Sequence, residues 1–303
     1  MIETHSSVAC AAMIVATLTL AGPALTQEVL PQPDIYVADL SVFDGIRFLG
    51  NVRNITNRPA ASDDQPRFAP DGRSILYTAA YQSGQTEIHR YYLSSGRDTR
   101  ITRTPDREYS PTPIPGDRAF SAIRIEADST QRLWRFTMEG MDAEVILRDV
   151  ARVGSQAWGN ETSLLAVVDG DPPTLHVADA TTGLAVVVAD SVGRSVNKIP
   201  NRNAWSFVER PSSTESWISE LNIGTHEVVR IIRTRDGGDF HAWTPEGVLL
   251  MASGSEILQW DPEVDTEWRV MADLGHMNVT FGRLAVSPDG TRVAMVGIRN
   301  PEP

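Results

Sequence analysis

Residues 65–72 read QPRFAPDG and run on into SILYTA at 74–79. A short strand, a Pro-Asp-Gly turn and a second strand rich in β-formers make this a hairpin. The unit returns as LAVSPDG (Leu284–Gly290) before RVAMV (Arg292–Val296), and as HAWTPEG (His241–Gly247) before VLLM (Val248–Met251). Looser copies lie between them: TPIPGD from Thr112, AWGNET from Ala157 and KIPNRN from Lys198. Aligned on the turn, the six copies fall at Pro70, Pro115, Asn160, Asn201, Pro245 and Pro288, at intervals of 45, 45, 41, 44 and 43. A fixed period near 44 residues decides the fold before any local reading does.

Each unit has a second half. EIHRYYL (Glu87–Leu93), SSG and TRIT (Thr99–Thr102) supply a third strand, a turn and a fourth; LWRFTM (Leu133–Met138) with EVIL (Glu144–Leu147) does the same. The other copies pair 175–179 with 185–189, 217–221 with 228–232, and 257–260 with 268–271. Four strands per 44 residues is a propeller blade. The last copy stops near Ile298 after two strands, while Ile35–Leu40 and Val52–Thr56 read as third and fourth strands with no first pair before them. Pairing the two ends closes the ring and removes an exposed edge. The expectation is an all-β, six-bladed propeller of four-stranded antiparallel blades in one domain over 34–300, closed by N- and C-terminal strands sharing one blade.

QPRFAPDG, LAVSPDG and IYVADL (Ile35–Leu40) together resemble the TolB-like propeller repeat, the WD40-like PD-G repeat. The resemblance extends over nearly all of the chain after the leader. It implies the propeller fold and, by analogy with envelope propellers, a protein or peptide partner; because propellers host unrelated activities, it does not imply a reaction. Relatives of this type carry an α/β domain or an α/β-hydrolase domain beside the propeller, for which this chain has no room. No Gly-x-Ser-x-Gly elbow occurs in it, so peptidase activity is not expected.

Residues 1–26 read as a signal peptide and 27–33 as a linker. Val8–Ala21 is an uncharged run of 14, too short for a bilayer span and the right length for a leader core, with small residues at Gly22, Ala24 and Thr26. No Lys or Arg precedes the run, and an apolar helix of the folded domain is the competing reading. Cys10, the single cysteine, lies inside the run, so the mature chain has neither disulfides nor a catalytic thiol. With 27 Lys+Arg against 39 Asp+Glu the net charge is −12, which argues against nucleic acid and anionic membranes. Lys198 is the only lysine, so the positive charge is almost wholly arginine.

In a propeller the first strand of each blade lines a central channel, and the residues just before it gather at one mouth. Counting back from the turns places Asp63, Asp64, Glu108, Tyr109, Arg194, Asp239, His241, His276 and Arg283 there. A rim of mixed charge suits a polar ligand, a peptide or a metal ion, with Arg available for carboxylates; ordinary solvated loops are the competing reading. Asp239 and His241 at i, i+2, with His276 from the next blade, form the one metal candidate. No other cofactor is expected. Asp169-Gly-Asp-Pro172 reads as a plain hairpin turn, and His89, His176 and His226 as blade-face residues. Phe68, Trp158 and Trp243 share one position two before the turn, filled elsewhere by Pro113, Ile199 and Val286, and read as wedges between blades. The expected function is a non-enzymatic, periplasmic or secreted binding platform with a protein or peptide partner, monomeric and without a membrane span after leader removal. The alternative is a channel-mouth, metal-assisted lyase or hydrolase acting on a glycan or lactone.

Overall fold

The structure, a computed structural model, describes residues 32–58, 61–116, 118–235 and 238–301. The leader and all but the last two residues of the linker lie outside the described residues. The sheets are six, each of four antiparallel strands. The first three complete blades are β3 to β6 (Ala61–Phe68, Ser74–Tyr81, Thr86–Tyr92, Asp98–Arg100), β7 to β10 (Arg107–Pro113, Ala119–Ile125, Gln131–Thr137, Glu144–Val145) and β11 to β14 (Val153–Trp158, Ser163–Val168, Thr174–Asp179, Ala185–Asp190). Two more follow: β15 to β18 (Val192–Lys198, Ala204–Ser212, Glu215–Asn222, Val228–Arg233) and β19 to β22 (His241–Trp243, Leu249–Ser253, Glu256–Trp260, Arg269–Asp273). Among the described residues no helix is long and apolar enough to cross a membrane.

The sixth blade has the order β2-β1-β24-β23, joining β23 (Val279–Val286) and β24 (Arg292–Arg299) to β1 (Pro33–Phe43) and β2 (Ile46–Asn54). β1 lies against β24 through seven residue pairs, from Pro33–Ile298 to Asp39–Arg292. Tyr36 meets Phe281 edge-on at 5.4 Å between ring centroids. A Cβ at Gly297 would lie 2.7 Å from Val279 Cγ1 and 2.8 Å from Tyr36 Cε2, so the seam needs a residue without one. The fourth strand begins six residues before the expected Val52, because Asp44-Gly45, both at positive φ, turn the chain early and lengthen the hairpin.

The core lies between blades rather than within them. Six clusters of buried apolar side chains each join two adjacent blades; one packs Leu165 and Val167 of β12 on Trp205 and Phe207 of β16. The second strands, covered on both faces, read as continuous apolar runs for this reason. The aromatic wedges Phe68, Trp158 and Trp243 are buried, Pro113 and Val286 at the same position are half-buried, and two of the aromatics repeat a hydrogen bond. Trp158 Nε1–H donates to Ser121 Oγ at 2.9 Å, and Trp243 Nε1–H to Ser206 Oγ at 2.8 Å, each 37 residues back in the preceding blade.

One copy is out of register by a residue. Ile199 N–H donates to Ala204 as Ala69 N–H does to Ser74, so Lys198, not Ile199, stands at the Trp158 position, and Pro200 rather than Asn201 matches Pro70. From Ile199 to Ala204 the KIPN turn is as long as the Pro-Asp-Gly turn from Ala69 to Ser74, and Lys198 folds its ammonium back onto the Ile199 and Arg202 carbonyls. Two substitutions test the architecture. Trp243→Ala is expected to cost about 3–5 kcal/mol in urea unfolding; a loss below about 1 kcal/mol would mean the wedge is not packed. Val37→Pro, mid-seam, should abolish cooperative unfolding by circular dichroism, and an unchanged midpoint would contradict the seam.

Candidate functional site

The first strands β3, β7, β11, β15, β19 and β23 line a central shaft, and most carry a bulge partway along. In β3 and β7 the bulge places Gln65 and Ser110 at positive φ, 59° and 56°. The Gln65 side chain holds both bends: its Oε1 accepts from Thr78 Oγ1 at 2.7 Å and from Ser110 N–H at 2.8 Å in the next blade. Further polar links stitch neighbouring first strands. Gln156 Nε2 donates to the Ser110 carbonyl, Ser155 Oγ to that of Arg194, and Asn197 Nδ2 to that of His241.

The strand-start mouth gathers five of the nine expected residues. Arg283 pairs with Asp64 at 3.3 Å and lies over the Phe240 ring, 3.9 Å from its centroid. Burial lowers the Arg283 pKa, and Asp64 and Asp239 work against that fall. Asp239 accepts from Arg194 N–H at 3.2 Å and pairs with Arg210 at 3.2 Å. That approach depends on Gly193, where a Cβ would collide with Asp239 Oδ1. Arg194 reaches Asp169 at 3.8 Å. Tyr109 donates to Gln131 Oε1 at 2.9 Å, and burial, then Asp169, raises its pKa. With Gln65, Ser155 and Asp169, the Tyr109, Arg194 and Arg283 side chains bound a cavity of about 200 Å³.

Four expected residues are elsewhere. Asp63 and Glu108 occupy the same register position in their blades and turn away from the mouth. Asp63, fully buried, takes both nitrogens of the Arg58 fork, and Glu108, also fully buried, takes Arg124 Nε at 2.9 Å and Thr104 Oγ1 at 2.6 Å. Burial pushes Glu108 up to about 7, against the pull of Thr104 and Arg124. The alternation of a strand accounts for this, since consecutive residues such as Asp63 and Asp64 cannot both face the shaft. His276 is exposed in a 3-10 turn, Gly275–Met277. His241 is buried at 1 % exposure inside the blade stack. Asp239, His241 and His276 therefore do not converge, and among the described residues no group of three His, Cys, Asp or Glu side chains is placed to hold a metal ion. Sequence counting missed Gln65, Asp169, Arg210 and Phe240; the Asp169 and Arg210 side chains arrive from the second strands and the loops after them, which counting along first strands does not reach.

His241 takes part in the wedge. Trp243 Nε1–H donates to Ser206 Oγ, the same oxygen lies 2.8 Å from His241 Nε2, and His241 Nδ1 has no hydrogen-bond partner. Burial, then the Arg67 charge, lowers the His241 pKa from 6.5 to about 3. The folded protein thus keeps His241 neutral while the unfolded chain protonates it, and stability declines as pH falls from about 6.5 toward 3. His241→Gln, the residue at the matching position in β11, should make the thermal midpoint fall less between pH 7 and 4 than in the parent. Parallel pH profiles would remove His241 from the acid response.

No family model matches the chain, and no curated protein matches it by sequence. Solved structures do. A putative TolB from Agrobacterium tumefaciens superposes with a TM-score of 0.68 at 14 % identity, over 88 % of this chain and 98 % of that one. TolB from Acinetobacter baumannii gives 0.58 at 13 %, over 88 % of this chain, which spans 64 % of that protein. An oligogalacturonate lyase in complex with manganese gives 0.53 at 17 %, over 86 % and 78 %. At these identities the likeness is one of fold, and in fold this chain is a TolB-like six-bladed β-propeller.

Proposed function

We propose that the protein is an exported, non-enzymatic platform of the cell envelope, periplasmic or secreted, that holds a protein or peptide partner at the strand-start mouth. The observation carrying this reading is the arrangement of charge there. Asp64–Arg283, Asp239–Arg210 and Asp169–Arg194 form a ring of paired side chains around an open shaft, rather than a set of donors aimed at one reacting point. The Arg194 and Arg210 side chains are 64 % and 44 % exposed, so their forks keep donors for the carbonyls and carboxylates of an incoming chain. The uncharged run of 14 residues at Val8–Ala21 supports export, and the TolB-like fold supports an envelope setting.

The enzyme alternative draws on the manganese-bound lyase of the same fold. In this chain it would need metal ligands other than the dispersed Asp239, His241 and His276. A photo-crosslinking residue at Arg194, with one at Val187 on an outer strand as control, distinguishes the two in a native envelope fraction. One stoichiometric adduct specific to position 194 is expected. Equal labelling at both positions, combined with a chelator-sensitive bound metal in the purified protein, would reverse the assignment.

A further inference from the structure

The opposite end of the shaft has a different chemistry. A cavity of about 260 Å³ there is lined from all six first strands, and no Asp or Glu is among its lining residues. In a chain of net charge −12 that is a local inversion, since the cavity holds Arg67 and Lys198. Two of the nearby turn carboxylates are taken up within their own turns: Asp71 accepts from Arg73 N–H, and Asp289 from Thr291 N–H and Ser287 Oγ; two others, Glu161 and Glu246, lie against Gly116 and Gly290 of neighbouring turns. The Lys198 ammonium is committed to two carbonyls.

Arg67 is not committed. The matched hydrogen bonds place Arg67, Thr112, Ala157, Asn197, Ala242 and Ala285 at one level, one residue per blade. Five short side chains thus surround the axis, leaving room for one guanidinium. Among the described residues that guanidinium has no hydrogen-bond or ion-pair partner. Burial, then the Arg283 charge, lowers its pKa to about 10. A second group lining the cavity is also incomplete. Gln156 is 1 % exposed, lines the same cavity and spends its Nε2 on Ser110 and Thr112, while its Oε1 receives no donor.

Buried charges and buried polar atoms are costly unless paired, and an unpaired fork matches an oxyanion. We propose that the turn end of the shaft is a binding site for a carboxylate bearing an adjacent hydrogen-bond donor, with Arg67 taking the carboxylate and Gln156 Oε1 accepting from the donor. One free cation neutralises one charge, and walls of Pro115, Pro200, Pro288, Trp158 and Trp243 leave a second charge uncompensated, so a monocarboxylate fits and a phosphate dianion does not. A small 2-hydroxy acid has this chemistry, and so does the C-terminal residue of a peptide, with its carboxylate beside an amide N–H. The site is separate from the strand-start rim and does not rest on the platform reading.

Thermal-shift and calorimetric titrations test it with lactate, propionate, inorganic phosphate, and one acetylated tripeptide with a free or an amidated C-terminus. Lactate or the free-acid tripeptide should raise the midpoint, with propionate weaker and the amide inert; which of the two binds tells a free acid from a chain end. Arg67→Met should weaken binding at least about tenfold. Without ligand its own midpoint should equal or exceed that of the parent, because it removes a half-buried cation that no acidic side chain pairs. Arg67→Lys, which keeps the charge and loses the fork, should bind with intermediate strength. The proposal is overturned if no carboxylate shifts the midpoint, if phosphate alone does so through Arg67, or if Arg67→Met binds like the parent.

Discussion

The seven-pair seam between β1 and β24 is the constraint on which the rest depends. A blade buries both faces of its middle strands only if a neighbour stands on either side, and five blades in a row would leave two faces bare. The sixth blade, made from both ends of the chain, supplies those faces. Its apolar side chains enter two of the six inter-blade clusters, with Tyr36 and Leu284 on one side and Ile35 and Ala285 on the other. With the ring closed, six first strands are forced to converge, and the shaft with its two unlike ends is the geometric result.

Most of the fold was legible because a period of about 44 residues is written in Pro, Gly and β-branched residues that do not depend on context. Phe68, Trp158 and Trp243 could be read as wedges since a repeated large residue at a fixed offset has few other uses. The one-residue slip at Lys198 was not legible, because KIPN and AWGN fit the turn equally well in either alignment. Only the Ile199–Ala204 hydrogen bond separates them.

The site was harder to read, for reasons that lie in strand geometry. Asp63 and Asp64 are neighbours in sequence, and alternation sends one to Arg58 in the interior and the other to Arg283 at the mouth. A bulge reverses that alternation partway along the strand, so which residue faces the axis depends on where the bulge falls. His241 looked like a ligand by its spacing from Asp239, and it is instead a counterpart of Gln156, bonded to the serine that also receives the tryptophan. Arg67, the one shaft-level residue that departs from its short counterparts, gave no signal in sequence because arginine supplies nearly all the positive charge of this chain.

The shared blade also has a consequence for how the protein comes into being. Ile35 pairs with Val296, a separation of 261 residues, so the strand synthesised first waits for the strand synthesised last. Pairings this distant form late and slowly. Until then β1 has an open edge and the ring cannot lock, so the arrival of β24 is the event that turns a row of blades into a closed ring.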